Sequence, residues 1–391
     1  MRLASLIIAA AALLAAGCGA SSPPHAAEPP AAPEPRFVEA GRPDLLSDWG
    51  QLAAGGGALV LGDGVTPYDL NTALFSDYAL KLRTVWTPEG AAPAAYDARE
   101  AFEFPVGTVI TKTFYYPRAG GELHPVRANG VSLQHFDGRA LDLDAVRLVE
   151  TRVLARRAAG WEALPYVWDE DQGEARLQRA GAFVDLTLVG ETGAARPLDY
   201  LVPDVNQCAN CHVTDTTDGR GVRPIGPKAR HLNGPFAYGH GTENQLTRWA
   251  DIGLLDEAPD PGLAPASAAW SAGVALSEAA LTHAARSYID INCAHCHSRT
   301  GQADMSGLYL EPWEPVSANF GLCKPPIAAG RGTGGRLYSI VPGDADASIL
   351  VHRMASDRPD IMMPELGRAV AHEEGVALIS AWIDRMAGGC G

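Results

Sequence analysis

The pentapeptide Cys-x-x-Cys-His occurs twice, as Cys208-Ala209-Asn210-Cys211-His212 and as Cys293-Ala294-His295-Cys296-His297. Two thiols three positions apart can each form a thioether with one of the two vinyl groups of a haem, and the next residue then offers its imidazole to the iron. The spacing predicts two covalently bound haem c groups, held by Cys208, Cys211, Cys293 and Cys296, with His212 and His297 as proximal iron ligands. A zinc site or a redox dithiol draws on the same residue types. Zinc, however, wants four closed ligands, and a redox Cys-x-x-Cys needs no histidine after it.

Three of the seven cysteines remain. Cys18 ends Leu14-Ala15-Ala16-Gly17-Cys18, after Met1-Arg2 and an apolar run over residues 3–16. This reads as a lipoprotein signal peptide over 1–17 with Cys18 as the lipid anchor; a plain cleaved signal with an incidental cysteine is the alternative. Gly19 stands where an inner-membrane retention signal usually places Asp, which favours the periplasmic face of an outer membrane. Residues 18–36 are rich in Pro and Ala and read as an extended tether. No later stretch is long and apolar enough to cross a bilayer. In an exported, oxidised chain the last two cysteines, Cys323 and Cys390, read as a disulfide or as two unpaired thiols.

Lys and Arg number 31 against 46 Asp and Glu, a net charge of -15, and no basic stretch offsets it, so nucleic acid is excluded as a partner. Residues 37–200 read as a β-rich, sandwich-like domain. Gly107 to Tyr116, Ala145 to Leu154 and Ala182 to Val189 have strand character, with turn signals such as Asn129-Gly130, Asp137-Gly138 and Ala159-Gly160 between them. Trp49, Trp86, Trp161 and Trp168 are its candidate core.

From about residue 201 the pattern predicts a mostly α-helical, cytochrome c-like region: a first haem unit over 201–258 and a second, class I-like unit over 271–391. The whole is an α+β multidomain chain. Leu281, Ala284, Tyr288 and Ile291 recur at helical spacing before Cys293, and Val376, Ile379, Ile383 and Met386 do so near the C-terminus. Met363-Pro364 makes Met363 the candidate distal ligand of the second haem, with Met362 its neighbouring alternative. No Met lies between His212 and His297. The distal ligand of the first haem is then a His, a Lys, none, or a Met from the second unit; His231 and His240 are the candidates along the chain, with Lys228 and His283 behind them.

The whole mature chain resembles a family of dihaem c-type cytochromes of the bacterial envelope. The resemblance is carried by Leu74-Phe75-Ser76-Asp77-Tyr78-Ala79, Phe104-Pro105-Val106-Gly107-Thr108, Glu150-Thr151-Arg152, Gly160-Trp161 and Asn244-Gln245-Leu246. It continues through the second haem motif, Leu322-Cys323-Lys324-Pro325-Pro326, Val341-Pro342-Gly343-Asp344 and Met363-Pro364. It implies electron transfer in the cell envelope, with a redox partner protein there for which a parallel β-helix protein is the candidate. An electron carrier is thus expected rather than an enzyme. The alternatives are a dihaem peroxidase-like oxidoreductase with an open first haem, and an envelope binding module with haem-linked redox sensing.

Overall fold

The computed structural model describes residues 28–120, 125–216 and 219–391. The expected signal peptide, Cys18 and the first part of the tether lie outside the described residues. Residues 28–36 run along the antiparallel hairpin of Leu52–Gly55 and Ala58–Leu61. Arg36 N donates to Trp49 O and Asp63 N to Pro33 O, each at 3.0 Å. The approach is close enough that a Cβ on Gly56 would sit 2.2 Å from Glu28 O, so only glycine fits there.

The centre of the molecule is a six-stranded antiparallel meander. Its strands, in chain and spatial order, are β1 (Thr66–Tyr68), β2 (Leu80–Trp86), β3 (Val109–Pro117), β4 (Val146–Arg157), β5 (Gly160–Trp168) and β6 (Ala175–Leu177). Alternating β-branched and aromatic residues put two different faces on this sheet. On one face, Leu82, Val109, Val153 and Tyr166 pack with Trp49 and Trp168 against a three-stranded sheet that includes Leu59 and Leu141.

The other face is layered by register. An apolar row of Val85, Ile110, Leu154 and Ala163 crosses β2 to β5 at one level. Val85, Ile110 and Leu154 of that row pack with Leu232, Leu246, Trp249 and Ile291 from the following segment. Near the opposite end Phe114, Tyr116 and Val149 pack against Leu186, Leu198 and Tyr200 of the hairpin Ala182–Val189/Ala195–Val202. Between these two apolar patches lies the row Arg83, Lys112, Arg152.

The expectation of a mostly α-helical region after residue 201 is overturned. Strand accounts for 29% of the chain and helix for 19%, and residues 213–256 contribute two more hairpins and a short strand, not a helical haem unit. Beyond residue 271, α-helix is confined to Glu278–Ile289, Ile349–Ala355 and Glu373–Asp384. The physical reason is the density of Gly and Pro between those segments, which breaks helices before the few turns they need. Left-handed Gly307, Gly321 and Gly334 each end a 3-10 turn in that stretch. The helical spacing holds from Leu281 to Tyr288 and from Val376 to Ile383, whereas Ile291 falls in a π turn and Met386 beyond the last helix. A disulfide joins Cys323 and Cys390, with Cα atoms 5.3 Å apart, and ties the C-terminus to this loop-rich stretch.

Candidate haem-binding site

The first motif lies on the short helix Gln207–His212. Asp204 starts it by accepting from Asn206 N at 2.7 Å and Gln207 N at 2.8 Å. At its end His212 Nδ1 stands 2.7 Å from Arg223 O. A carbonyl only accepts, so Nδ1 carries the proton and Nε2 keeps its lone pair free for a metal. Burial pulls the imidazole down to about 4 and keeps it neutral at physiological pH.

The second motif follows the helix Glu278–Ile289, which Ser277 caps by accepting from Ala280 N at 3.3 Å. The helix widens into a π turn over Asp290–Ala294 that delivers Cys293. His297 repeats the arrangement of His212: its Nδ1 stands 3.1 Å from Ser306 Oγ, whose own proton goes to Ala303 O. Burial again holds this imidazole at about 4.

The two motifs abut. The Sγ atoms of Cys211 and Cys296 and a ring nitrogen of His295 all lie within 4.8 Å of one another. Cys296 Sγ is 3.3 Å from Asn210 O, and Thr214 Oγ1 donates to Thr300 Oγ1 at 3.0 Å. Asp215 N also donates to Thr300 O at 3.0 Å, so the chain segments after each motif run side by side.

Between the first motif and the layered face of the sheet lies a cavity of about 110 Å³. Cys208, Cys211 and His212 line it from the motif side, Ile110, Lys112 and Arg152 from the sheet. A smaller cavity of about 20 Å³ is lined by Cys293, Met354, Met363, Arg368 and His372, and shares Phe75, Asn292 and Pro364 with the first. His297 is not part of that lining. Met363 is held by its backbone: its N donates to Arg353 O at 3.0 Å, and its O accepts from Arg368 Nη2 at 2.9 Å. Met362 beside it is buried.

Neither distal candidate for the first haem borders the larger cavity. His231 is buried, with Nε2 3.6 Å from Asp290 and Nδ1 3.3 Å from Ser267 Oγ. His240 is exposed on Glu243 at 2.9 Å, and His283 bonds Ala266 O at 3.1 Å. Lys228 pairs with Glu100.

Two features of the site escaped sequence reasoning. Asp77 and Asn292 fasten the parts together: Asp77 Oδ1 accepts from Ala369 N at 2.6 Å and Val370 N at 2.9 Å, and Asn292 Oδ1 accepts from Phe75 N at 2.8 Å. The second is the cation row of the sheet. Its signal is charge at one phase of three strands: Lys81 and Arg83 in Leu80-Lys81-Leu82-Arg83, Lys112 in Val109-Ile110-Thr111-Lys112, and Glu150 and Arg152 in Val149-Glu150-Thr151-Arg152.

The donor set fits a haem c: two thiols and a neutral, oriented imidazole beside a cavity with apolar walls at Leu70, Ile110, Leu154 and Ile225. Comparison with known protein families, with characterised proteins and with solved structures returned no match for this chain.

Proposed function

We propose that the protein is a dihaem c-type cytochrome that transfers electrons in the bacterial cell envelope, as the resemblance in its sequence implies. When bound, the haems supply one-electron redox chemistry. The chain's own part is to attach them through Cys208, Cys211, Cys293 and Cys296 and to offer Nε2 of His212 and His297 to the irons. It also orients both imidazoles from behind through Arg223 O and Ser306 Oγ. Met363 is the proposed distal ligand of the second haem. Cys18 is proposed as the lipid anchor and a redox protein of the envelope, with a β-helix protein as the candidate, as the partner.

The single observation that carries this reading is the abutment of the two motifs at Cys211 and Cys296. Thioether sulfurs are carried at a haem's edge, so haems attached at these neighbouring sulfurs would have edges close to one another. That is what electron exchange between them requires. The test is the full-length protein matured with the cytochrome c assembly machinery. Acid extraction should leave two haems per chain by mass and by pyridine haemochrome, and zero or one would end the reading. Peroxide turnover with an open first haem would move it to a peroxidase-like enzyme.

One observation favours a second reading. Hydrogen bonds from Cys296 and His295 pull the Cys211 thiol below its ordinary range, and a cluster of Cys211, His295 and Cys296 would suit a soft metal ion. Stoichiometric zinc without a Soret band in protein purified from its native envelope would favour it.

A further inference from the structure

The cation row Arg83, Lys112, Arg152 is the least expected feature of the sheet. Register places the three side chains directly opposite one another on adjacent strands, where like charges repel. With Lys81 and Glu150 of the same face they set charge between two apolar patches, and all three line the cavity beside the first motif. Such a row persists in a core only if each member has a partner or a task.

Two of the three have partners. Arg83 pairs with Asp69 at 2.5 Å. Arg152 makes a two-pronged pair with Glu150, Nε to Oε2 at 2.8 Å and Nη2 to Oε1 at 2.5 Å, and Tyr200 OH donates to the same carboxylate at 2.7 Å. Lys112 has no hydrogen bond or ion pair among the described residues. Its Nζ lies 5.1 Å from the centre of the Phe114 ring, and that is the contact it makes. The charged and titratable groups around it are Arg83, Arg152, Glu150, Cys211, Lys81 and His212. Burial, then Arg152 and Arg83, draw its ammonium down to about 7.

The other polar groups on the cavity wall are poor donors to an iron. The guanidinium groups of Arg83 and Arg152 keep their protons. Burial pushes the Tyr68 phenol far above its ordinary value, so it stays protonated. His295 stands at the attachment edge inside the second motif, with a ring nitrogen within 4.8 Å of the Cys211 and Cys296 sulfurs; its buried Nδ1 has no hydrogen bond among the described residues. Lys112 combines a nitrogen lone pair and a flexible stem with no hydrogen bond or ion pair among the described residues, and it faces the cavity from the sheet, across from the motif.

We propose that Lys112 supplies the sixth ligand of the first haem, its amine binding the iron on the face away from His212. The proposal rests on the haem reading above. On binding, the Lys112 ammonium releases one proton to water and its nitrogen donates the freed lone pair to the iron; no electron is gained or lost. A hard amine opposite imidazole on the first haem, against thioether on the second, would place the first at the lower potential.

The experiment uses the full-length protein carrying both haems. Low-temperature electron paramagnetic resonance of the ferric wild type should show two low-spin haems, and the ferrous protein should take up no carbon monoxide. Lys112→Ala should turn one haem high-spin and admit one equivalent of carbon monoxide per chain. Lys112→Arg separates ligand from charge: arginine keeps the charge but cannot coordinate, so it should behave as Lys112→Ala does. If Lys112→Arg keeps both haems low-spin and closed to carbon monoxide, Lys112 acts through charge or packing and the proposal is overturned. Should neither variant fold, the wild type still decides. Near-infrared magnetic circular dichroism should give an amine–imidazole charge-transfer band for one haem, and a high-spin or bis-imidazole first haem overturns the proposal. Fewer than two attached haems would instead defeat the haem reading itself.

Discussion

The same five-residue signature sits in two different settings. The first motif, on a six-residue helix, faces the rigid centre of a β-sheet, whose side chains Ile110, Lys112 and Arg152 form the far wall of its cavity. The second ends a twelve-residue helix and lies among Met354, Met363 and His372 from helices and loops. A covalent signature sets where a haem is tied; the wall opposite sets its ligand field and potential. The contrast teaches that two motifs with the same attachment residues can be tuned apart by what faces them.

The most severe break of that comparison removes one side of it. Cys208→Ala with Cys211→Ala should lower covalent haem from two to one per chain, and Cys293→Ala with Cys296→Ala should do the same for the other haem, each read by haemochrome after acid extraction. A pair of variants that both keep two haems would contradict the attachment assignment.

Sharpening comes next from the second wall. Met363→Ala should lower the upper wave of a potentiometric titration by on the order of 100 mV, within the roughly 0.8 V that axial ligands command, and leave the lower wave in place. It should also abolish any sulfur-to-iron band in the far red. If neither wave moves, Met363 is packing alone.

A third expectation concerns the joint between the regions. Arg230 makes a buried ion pair with Asp290 at 2.6 Å, one turn before Cys293, and Asp290 also faces His231. Burial alone would raise Asp290, but His231 and Arg230 outweigh it and hold the carboxyl below its ordinary value. Arg230→Met would strand a buried carboxylate and should cost about 3–5 kcal/mol by urea denaturation.

His231 gives the same joint a pH dependence. Burial depresses it to about 3, whereas in the unfolded chain it titrates near 6.5, so below that pH the unfolded state binds more protons. Its contribution is present above the unfolded value and is lost as pH falls toward about 3. Between pH 7 and 5 this amounts to about 2 kcal/mol. His231→Gln should flatten the urea midpoint over that range; an unchanged slope would show that His231 is not kept neutral.

The smallest effect belongs to the exposed Arg220–Asp215 pair, 3.1 Å apart beside the contact between the motifs. Asp215→Ala should change stability by less than about 1 kcal/mol, because solvent screens such pairs. A larger loss would make the motif contact itself a source of stability.

The sequence by itself determined the covalent chemistry and the local periodicities. A thioether signature is five consecutive residues and needs no fold to be read, and Ser277 with Leu281, Ala284 and Tyr288 specifies a capped helix within one segment. Strand alternation from Val109 to Tyr116 was legible for the same reason. Only the tertiary structure decided what lies across from each motif. Lys112 meets Arg83 and Arg152 through strand register, and Asp77 reaches Ala369 and Val370 from the other end of the chain. Register and long-range closure depend on how faces pack, and no spacing along the chain encodes that. For this reason His231 and His240, close to the first motif in sequence, lie away from its cavity, while Lys112, distant from it in sequence, lines it.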